Sequence, residues 1–65
     1  MGASILRLKS VIQLTGLSRS SIYSLIAKGE FPKQIKLTKR SSGWVLQEVE
    51  HWVNDRVAER DSEAA

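Results

Sequence analysis

Residues 15–32, TGLSRSSIYSLIAKGEFP, contain one short amphipathic helix between two glycines. Ser18 is a favourable N-cap, because its side-chain oxygen can accept a hydrogen bond from a free N–H group of the first turn. Gly29 readily adopts the left-handed conformation that ends a helix, and Pro32 keeps the chain from resuming helix at once. Gly16 interrupts the apolar pattern that precedes Ser18. The segment therefore predicts a helix that begins after Ser18 and stops at Gly29.

This helix has one apolar face and one face of small polar residues. At 100° per residue Ile22, Leu25 and Ile26 fall together, and no acidic residue lies between Arg19 and Lys28. The opposite face carries Ser20, Ser24 and Ala27, with Arg19 and Tyr23 at its border. Small hydroxyls without acids allow another surface to approach closely, so the sequence predicts an interface on this face.

Helices are also predicted on both sides of this segment. Val11 and Leu14, with Leu8 before and Leu17 after, indicate a short helix over residues 9–15, which Ser10 caps or which begins a residue or two earlier. Residues 47–60 repeat apolar side chains at helical spacing: Val49, Trp52, Val53 and Val57. Arg56 lies within that stripe, so we expect its stem to cover the Trp52 indole; a phosphate contact is the alternative.

The chain between the second and third helices reads as a β-hairpin. Residues 34–38 alternate polar and apolar side chains, the run KRSSG follows, and Trp44, Val45 and Leu46 form a second β-prone stretch. An isolated hairpin is marginally stable, so Ile35 and Leu37 are expected to lie on the helices. The turn between the strands would carry the cations Lys39 and Arg40.

The element order predicts a mainly α fold with a small β-hairpin, a winged helix-turn-helix whose second helix enters the major groove of DNA. The chain has 65 residues and no cysteine, enough for one domain with a small core. We assign residues 1–5 to a flexible N-terminal tail, residues 6–58 to the DNA-binding domain and residues 59–65 to an acidic C-terminal tail. Trp44 and Trp52 are expected in the core.

Charge is divided unevenly along the chain. Residues 1–44 carry eight Lys or Arg and one acid, a formal charge of +7, whereas residues 45–65 carry two Arg and six acids, a formal charge of −4. A basic surface of that density suggests a polyanionic partner, and the acidic helix would face away from it. A solvated surface of uneven charge is the simpler alternative.

Nothing in the sequence favours an enzyme. The one histidine, His51, falls on the polar side of the third predicted helix, and neither a cysteine nucleophile, a phosphate-binding glycine loop nor a metal-ligand spacing is present. We therefore expect no catalytic residue, cofactor or metal. No apolar run is long enough for a membrane span or a signal peptide, so no membrane partner is expected and a cytoplasmic, nucleoid-associated protein is predicted.

The sequence over residues 6–56 also resembles the AlpA-like prophage regulators, small relatives of the MerR-type and excisionase winged-helix proteins. The resemblance rests on TGLSRSSIY, on GEFPKQIKL and on GW followed by EVEHW. It implies a DNA-binding transcriptional regulator of a mobile element, and some members promote excision by directing an integrase. Where the family commonly has a glycine, an acidic residue and an arginine before a short tip, this chain has Thr38, Lys39 and Arg40, so only Arg40 matches.

The candidate DNA contacts share an exposed position or a positive charge on the second helix or the hairpin: Ser18, Arg19, Ser20, Ser21, Tyr23, Ser24, Lys28, Lys36, Lys39 and Arg40. Structural alternatives stay open for several of them. Ser18 could serve only as a cap, Tyr23 could pack its ring on the first helix, and Lys28 could interact only with the helix C-terminus. The hairpin cations could instead prevent strand pairing with another molecule.

These residues predict a protein that binds double-stranded DNA in a sequence-specific manner and regulates transcription or excision of a mobile element. An integrase, RNA polymerase or further copies of the chain on DNA are the conceivable protein partners. Two other functions remain open. The chain could bend DNA as an architectural factor without sequence preference, or it could bind an acidic protein through the same basic surface.

Overall fold

The computed structural model describes residues 2–64 and consists of three helices and three short strands. In chain order these are β1 (Ile5–Leu6), α1 (Leu8–Thr15), α2 (Arg19–Ala27), β2 (Ile35–Lys36), β3 (Ser42–Val45) and α3 (Leu46–Ala64). The mainly helical winged helix-turn-helix predicted from the sequence is confirmed. Met1 and Ala65, the outer ends of the two predicted tails, lie outside the described residues.

A tight turn joins α1 to α2. Gly16 has φ 74°, and its N–H donates to the Ile12 carbonyl over 2.8 Å. The Thr15 hydroxyl donates to the Val11 carbonyl over 2.8 Å and accepts the N–H of Leu17 over 3.2 Å. A residue with a Cβ would be strained at this positive φ, so glycine fixes where α1 ends and how α2 leaves it.

Both ends of α2 have the predicted cap residues. The Ser18 hydroxyl oxygen accepts the N–H of Ser21 over 3.1 Å. At the other end Gly29 has φ 73° and donates to Ile26, and the Glu30 N–H donates to the Leu25 carbonyl over 2.8 Å. These two bonds form a Schellman motif, which satisfies carbonyls that the helix end would otherwise leave free.

The sheet has three strands, one more than the predicted hairpin. β3 lies in the centre and pairs antiparallel with both other strands. Ile5 of β1 lies opposite Val45 of β3, and Ile35 of β2 lies opposite Gly43 of β3. Ile5, placed in a flexible tail by the sequence, thus belongs to a strand, and the Ser4 carbonyl accepts the N–H of Leu46 over 2.8 Å. Two residues are too few to show alternation, so the sequence offered no strand signal there.

The core lies between the sheet and the helices and contains Val11, Ile22, Phe31, Trp44 and Val49. The predicted place of Trp44 is confirmed, and Trp52 is half-buried against the same cluster. The expectation for Ile35 and Leu37 is wrong, because they are 40% and 41% exposed. We refer to the hairpin of β2 and β3 as the wing. Its buried side chain is Trp44 of β3, the strand that lies between the other two and packs against α1 and α3.

Helix α3 is longer than predicted at both ends. It begins at Leu46, directly after β3, and residues 59–64 of the predicted acidic tail continue the helix. Arg56 lies over the Trp52 ring at 5.4 Å from its centroid, as expected, and also pairs with Glu59. Among the described residues, no helix has both the length and the apolar composition that crossing a membrane requires. The boundaries of the predicted DNA-binding domain stay a prediction.

Candidate nucleic-acid interface

The outward face of α2 is exposed along its whole length. Ser20, Ser24 and Ala27 all lie in solvent, opposite the buried Ile22. Ser20, Ser21, Ser24 and Lys28 border a shallow open depression of about 500 Å³ together with Leu17 and Leu25. The first turn of α2 contains no acidic residue, so its positive helix end is not neutralised by a carboxylate there. This face has hydroxyl donors and acceptors suited to base edges or phosphates.

Ser18 has a clear local role. Its hydroxyl caps the Ser21 N–H, and it also donates to the Ser21 hydroxyl over 3.0 Å. Both serines are exposed, but each hydroxyl already has a partner. Ser18 and Ser21 therefore shape the N-terminus of α2, and Ser20 and Ser24 are the hydroxyls that point away from the protein.

The wing tip, residues 37–41, is held by a small network of hydroxyl groups. The hydroxyls of Thr38 and Ser41 are 2.7 Å apart, and the Arg40 N–H donates to the Thr38 hydroxyl over 3.2 Å. The Leu37 N–H donates to the Ser41 carbonyl over 2.9 Å. A turn closed in this way presents Lys39 and Arg40 at a fixed place, fully on the surface.

A groove of about 400 Å³ separates the wing from the two helices, and we refer to it as the basic groove. Its cations come from three elements: Arg7 and Lys9 at the start of α1, Arg19 at the start of α2, and Arg40 on the wing tip. Tyr23 and Trp44 contribute its aromatic wall, with ring centroids 6.2 Å apart at an interplanar angle of 62°. No acidic residue lines it within the part of the chain that the structure describes.

Tyr23 was predicted either to contact DNA or to pack its ring on the first helix, and its position combines a packing role with an exposed one. Its ring meets Trp44 of β3 edge-on, and 36% of the residue is exposed. The ring thus supports the wall of the basic groove, while the phenol remains accessible from it. A structural role and a contact role are compatible at this position.

The predicted contact residues fall into separate regions of the surface. Arg19, Tyr23 and Arg40 meet in the basic groove, and Ser20, Ser21, Ser24 and Lys28 lie on the other side of α2. Lys36 belongs to neither, because it lines a third recess beside Lys33 and Ile26. Lys39 lies at the exposed wing tip.

Sequence reasoning missed Arg7 and Lys9. Both were counted in the basic half of the chain, yet nothing in the sequence placed them beside the wing. Their position follows from β1, which pairs with β3 and brings the start of α1 next to Ser42 and Trp44. The signal that could have revealed them is that two cations, separated only by Leu8, flank the start of the first predicted helix.

The ion pairs of the described residues all lie on α3. They are His51 with Asp55 at 3.4 Å, Arg56 with Glu59, and Arg60 with Asp61 at 2.9 Å. Within residues 2–64 none of the eight cations of the basic half is paired with an acid. Such cations remain available to a polyanion without first breaking an internal pair.

Comparison with known proteins identifies relatives of the chain. Residues 4–57 match the family described as prophage CP4-57 regulatory protein (AlpA). The chain is 49% identical over 55 residues to the uncharacterized protein ORF88 of Enterobacteria phage P4, covering 85% of this chain and 62% of that protein. It is 38% identical over 58 residues to the DNA-binding transcriptional activator AlpA of Escherichia coli (strain K12), covering 80% of this chain and 83% of that protein. The chain thus spans less than two thirds of the phage P4 relative.

Proposed function

Since the chain belongs to the AlpA family of prophage regulatory proteins, we propose that it is a sequence-specific, duplex-DNA-binding transcriptional regulator of a prophage or another mobile element. It acts by contacts alone, without catalysis, in the cytoplasm at the nucleoid. The observation that carries the proposal is that three neighbouring parts of the described surface are lined without an acidic residue: the outward face of α2, the wing tip and the basic groove.

In this proposal α2 lies in the major groove of DNA. Arg19 and Ser20 face base edges or nearby phosphates, because the N-terminal residues of a recognition helix contact base edges. Ser24 lies one turn after Ser20 on the same exposed face and extends this contact. Lys28 adds a cation at the other end of the helix. Ser18 and Ser21 contribute chiefly by fixing the first turn.

The wing lies against the adjacent backbone or minor groove. Lys39 and Arg40 are the exposed cations of its tip, and Lys36 is an exposed cation on strand β2. A narrow minor groove concentrates negative potential, which favours an inserted guanidinium. Tyr23 supports this side of the interface through its contact with Trp44.

The test is selection from a randomised duplex library at about physiological salt, followed by sequencing of the retained duplexes. We expect one enriched motif for the wild-type chain, and loss of retention for Arg19→Ala and Arg40→Ala with a nearly unchanged melting temperature. Arg60→Ala, a cation on α3 paired with Asp61, is the matched control and should retain the same motif. Retention without enrichment would replace the proposal by the architectural function.

The same surface would serve a recombination role. An excisionase-type directionality factor binds DNA near an integrase site, whereas a transcriptional regulator acts on RNA polymerase, and both are compatible with one DNA-binding face. Further copies bound side by side would appear as a regular spacing in the selected motif. An in vitro excision assay with the cognate integrase, beside a transcription assay on the selected site, separates the two roles.

A further inference from the structure

The basic groove lies between two parts of the surface that are proposed to touch different DNA grooves. On one side is α2, with Arg19 and Tyr23, and on the other side is the wing tip, with Arg40. The major and minor grooves of a duplex are separated by a phosphodiester backbone. A duplex that meets both α2 and the wing must therefore pass one strand's phosphates across the space between them.

We infer that the basic groove binds a backbone phosphate of that strand, and that Arg7 and Lys9 are phosphate-binding residues of the site. The inference rests on the proposed function and extends it to two residues at the start of α1. Four cations from three elements line the groove, and within residues 2–64 none of them has an acidic partner. The convergence of Arg and Lys on one small concavity is the chemistry that recognises a phosphodiester.

The backbone at the start of α1 is compatible with an anion. Arg7 is the N-cap residue with φ −87° and ψ 166°, its side chain makes no capping hydrogen bond, and the first turn of α1 contains no acid. The first N–H groups of a helix lack intrahelical partners, and its positive end favours a nearby negative charge. Arg7 itself lines the groove, and no carboxylate in the first turn of α1 competes with a phosphate.

Duplex affinity measured over a range of salt concentrations tests the inference. In the double variant Arg7→Gln with Lys9→Gln we expect the slope of log K against log salt to become shallower by about 0.9 for each phosphate that the protein no longer neutralises. The weakening should be uniform across duplex sequences, because a phosphate contact carries no base information. The melting temperature should stay unchanged, since both side chains are exposed and unpaired in the described structure.

Lys33→Gln is the matched control for charge. Lys33 is exposed and lies outside the basic groove, beside Lys36 and Gln34. Each single variant, Arg7→Gln or Lys9→Gln, removes the same charge as this control. If all three weaken binding equally, only total charge matters and the assignment of a phosphate site is overturned.

A DNA-free measurement separates this inference from the proposed function. We expect inorganic pyrophosphate to shift the backbone amide signals of Leu8, Lys9 and Arg19 in a saturable manner, and the double variant to lose these shifts. A wild-type chain that shows the shifts but binds no duplex would sustain the anion site and refute the proposed function. A chain that binds duplex with the same salt slope in wild type and double variant would refute the phosphate site alone.

Discussion

At the scale of single residues, Gly43 shows how closely β1, β3 and the wing are packed. A Cβ at this position would lie 2.5 Å from Cγ2 of Ile5, 3.0 Å from the backbone oxygen of Leu6 and 3.2 Å from Cδ1 of Leu37. We expect Gly43→Ala to lower the free energy of unfolding by about 1–3 kcal/mol, because the Leu6 backbone cannot move aside without disturbing the strand pair. Thermal unfolding measures the loss. Gly2→Ala is the control and should leave stability unchanged, because an added Cβ there would meet no atom within 4 Å beyond its own chain neighbours.

The two tryptophans also bind the loop that joins α2 to β2. The Trp44 indole N–H donates to the Pro32 carbonyl over 3.1 Å, and the Trp52 N–H donates to the Glu30 carbonyl over 2.7 Å. Trp52 also meets the Phe31 ring edge-on at 4.9 Å. The sequence prediction placed both residues in the core because a tryptophan side chain is large. It could not show which carbonyl each indole N–H would reach, because those carbonyls lie in a distant loop.

Trp52→Phe keeps an aromatic ring beside Phe31 and removes the indole donor. We expect a loss of about 1 kcal/mol in the free energy of unfolding, the usual net contribution of one hydrogen bond. Chemical denaturation of the variant and of Trp52→Ala provides the comparison. The alanine variant should lose clearly more, about 3–5 kcal/mol for a fully buried ring and less at this half-buried position. Equal losses would mean that the ring contributes little beyond its hydrogen bond.

At the scale of elements, Ser18 decides how α2 begins. We expect Ser18→Ala to lower stability by about 0.5–2 kcal/mol, because the Ser21 N–H loses its acceptor. Ser18→Asn restores a capping oxygen and should restore the melting temperature. The duplex affinity of the asparagine variant then shows whether Ser18 serves only as a helix cap or also contacts DNA. Unchanged affinity indicates a cap alone, and a loss of affinity in a fully stable chain would indicate that the Ser18 hydroxyl itself contacts DNA.

The wing shows which elements a sequence pattern can predict. The alternation over residues 34–38 and the KRSSG run were enough for a hairpin with a basic tip, because strand and turn signals are local. β1 was missed, since two residues show no period, and its pairing with β3 depends on contacts between residues 5–6 and 44–45, far apart in the chain. The exposure of Ile35 and Leu37 was missed for a related reason: alternation identifies one face of a strand but not whether that face is covered.

At the scale of the whole molecule, the charge division found in the sequence becomes a division in space. The unpaired cations lie at α1, at α2, in the loop that follows α2 and on the wing, and the ion pairs of the described residues lie on α3. The separation of an unpaired basic part from an ion-paired acidic helix was therefore readable from the sequence. The basic groove was not, because Arg7 and Arg40 are far apart in the chain and meet only when β1 joins the sheet.

The acids at the end of α3 are expected to weaken DNA binding through long-range repulsion. Ending the chain after Ala58 removes three acids and Arg60, which raises the formal charge from +3 to +5. The fold should persist, since residues 59–63 are exposed and their ion pairs lie within α3. Affinity for duplex should rise at low salt, and the gain should shrink as screening increases, because the Debye length falls from about 30 Å at 0.01 M to about 10 Å at 0.1 M.

A full-length variant distinguishes charge from helix length in this experiment. Asp61→Asn with Glu63→Gln also brings the formal charge to +5 but keeps every residue of α3. If repulsion is the cause, the shortened chain and the neutralised chain should gain affinity equally and lose the gain over the same salt range. A gain in the shortened chain alone would mean that the end of α3 obstructs the duplex sterically. The proposed boundary at residue 58 would then mark a segment that limits access to DNA and not only an acidic extension.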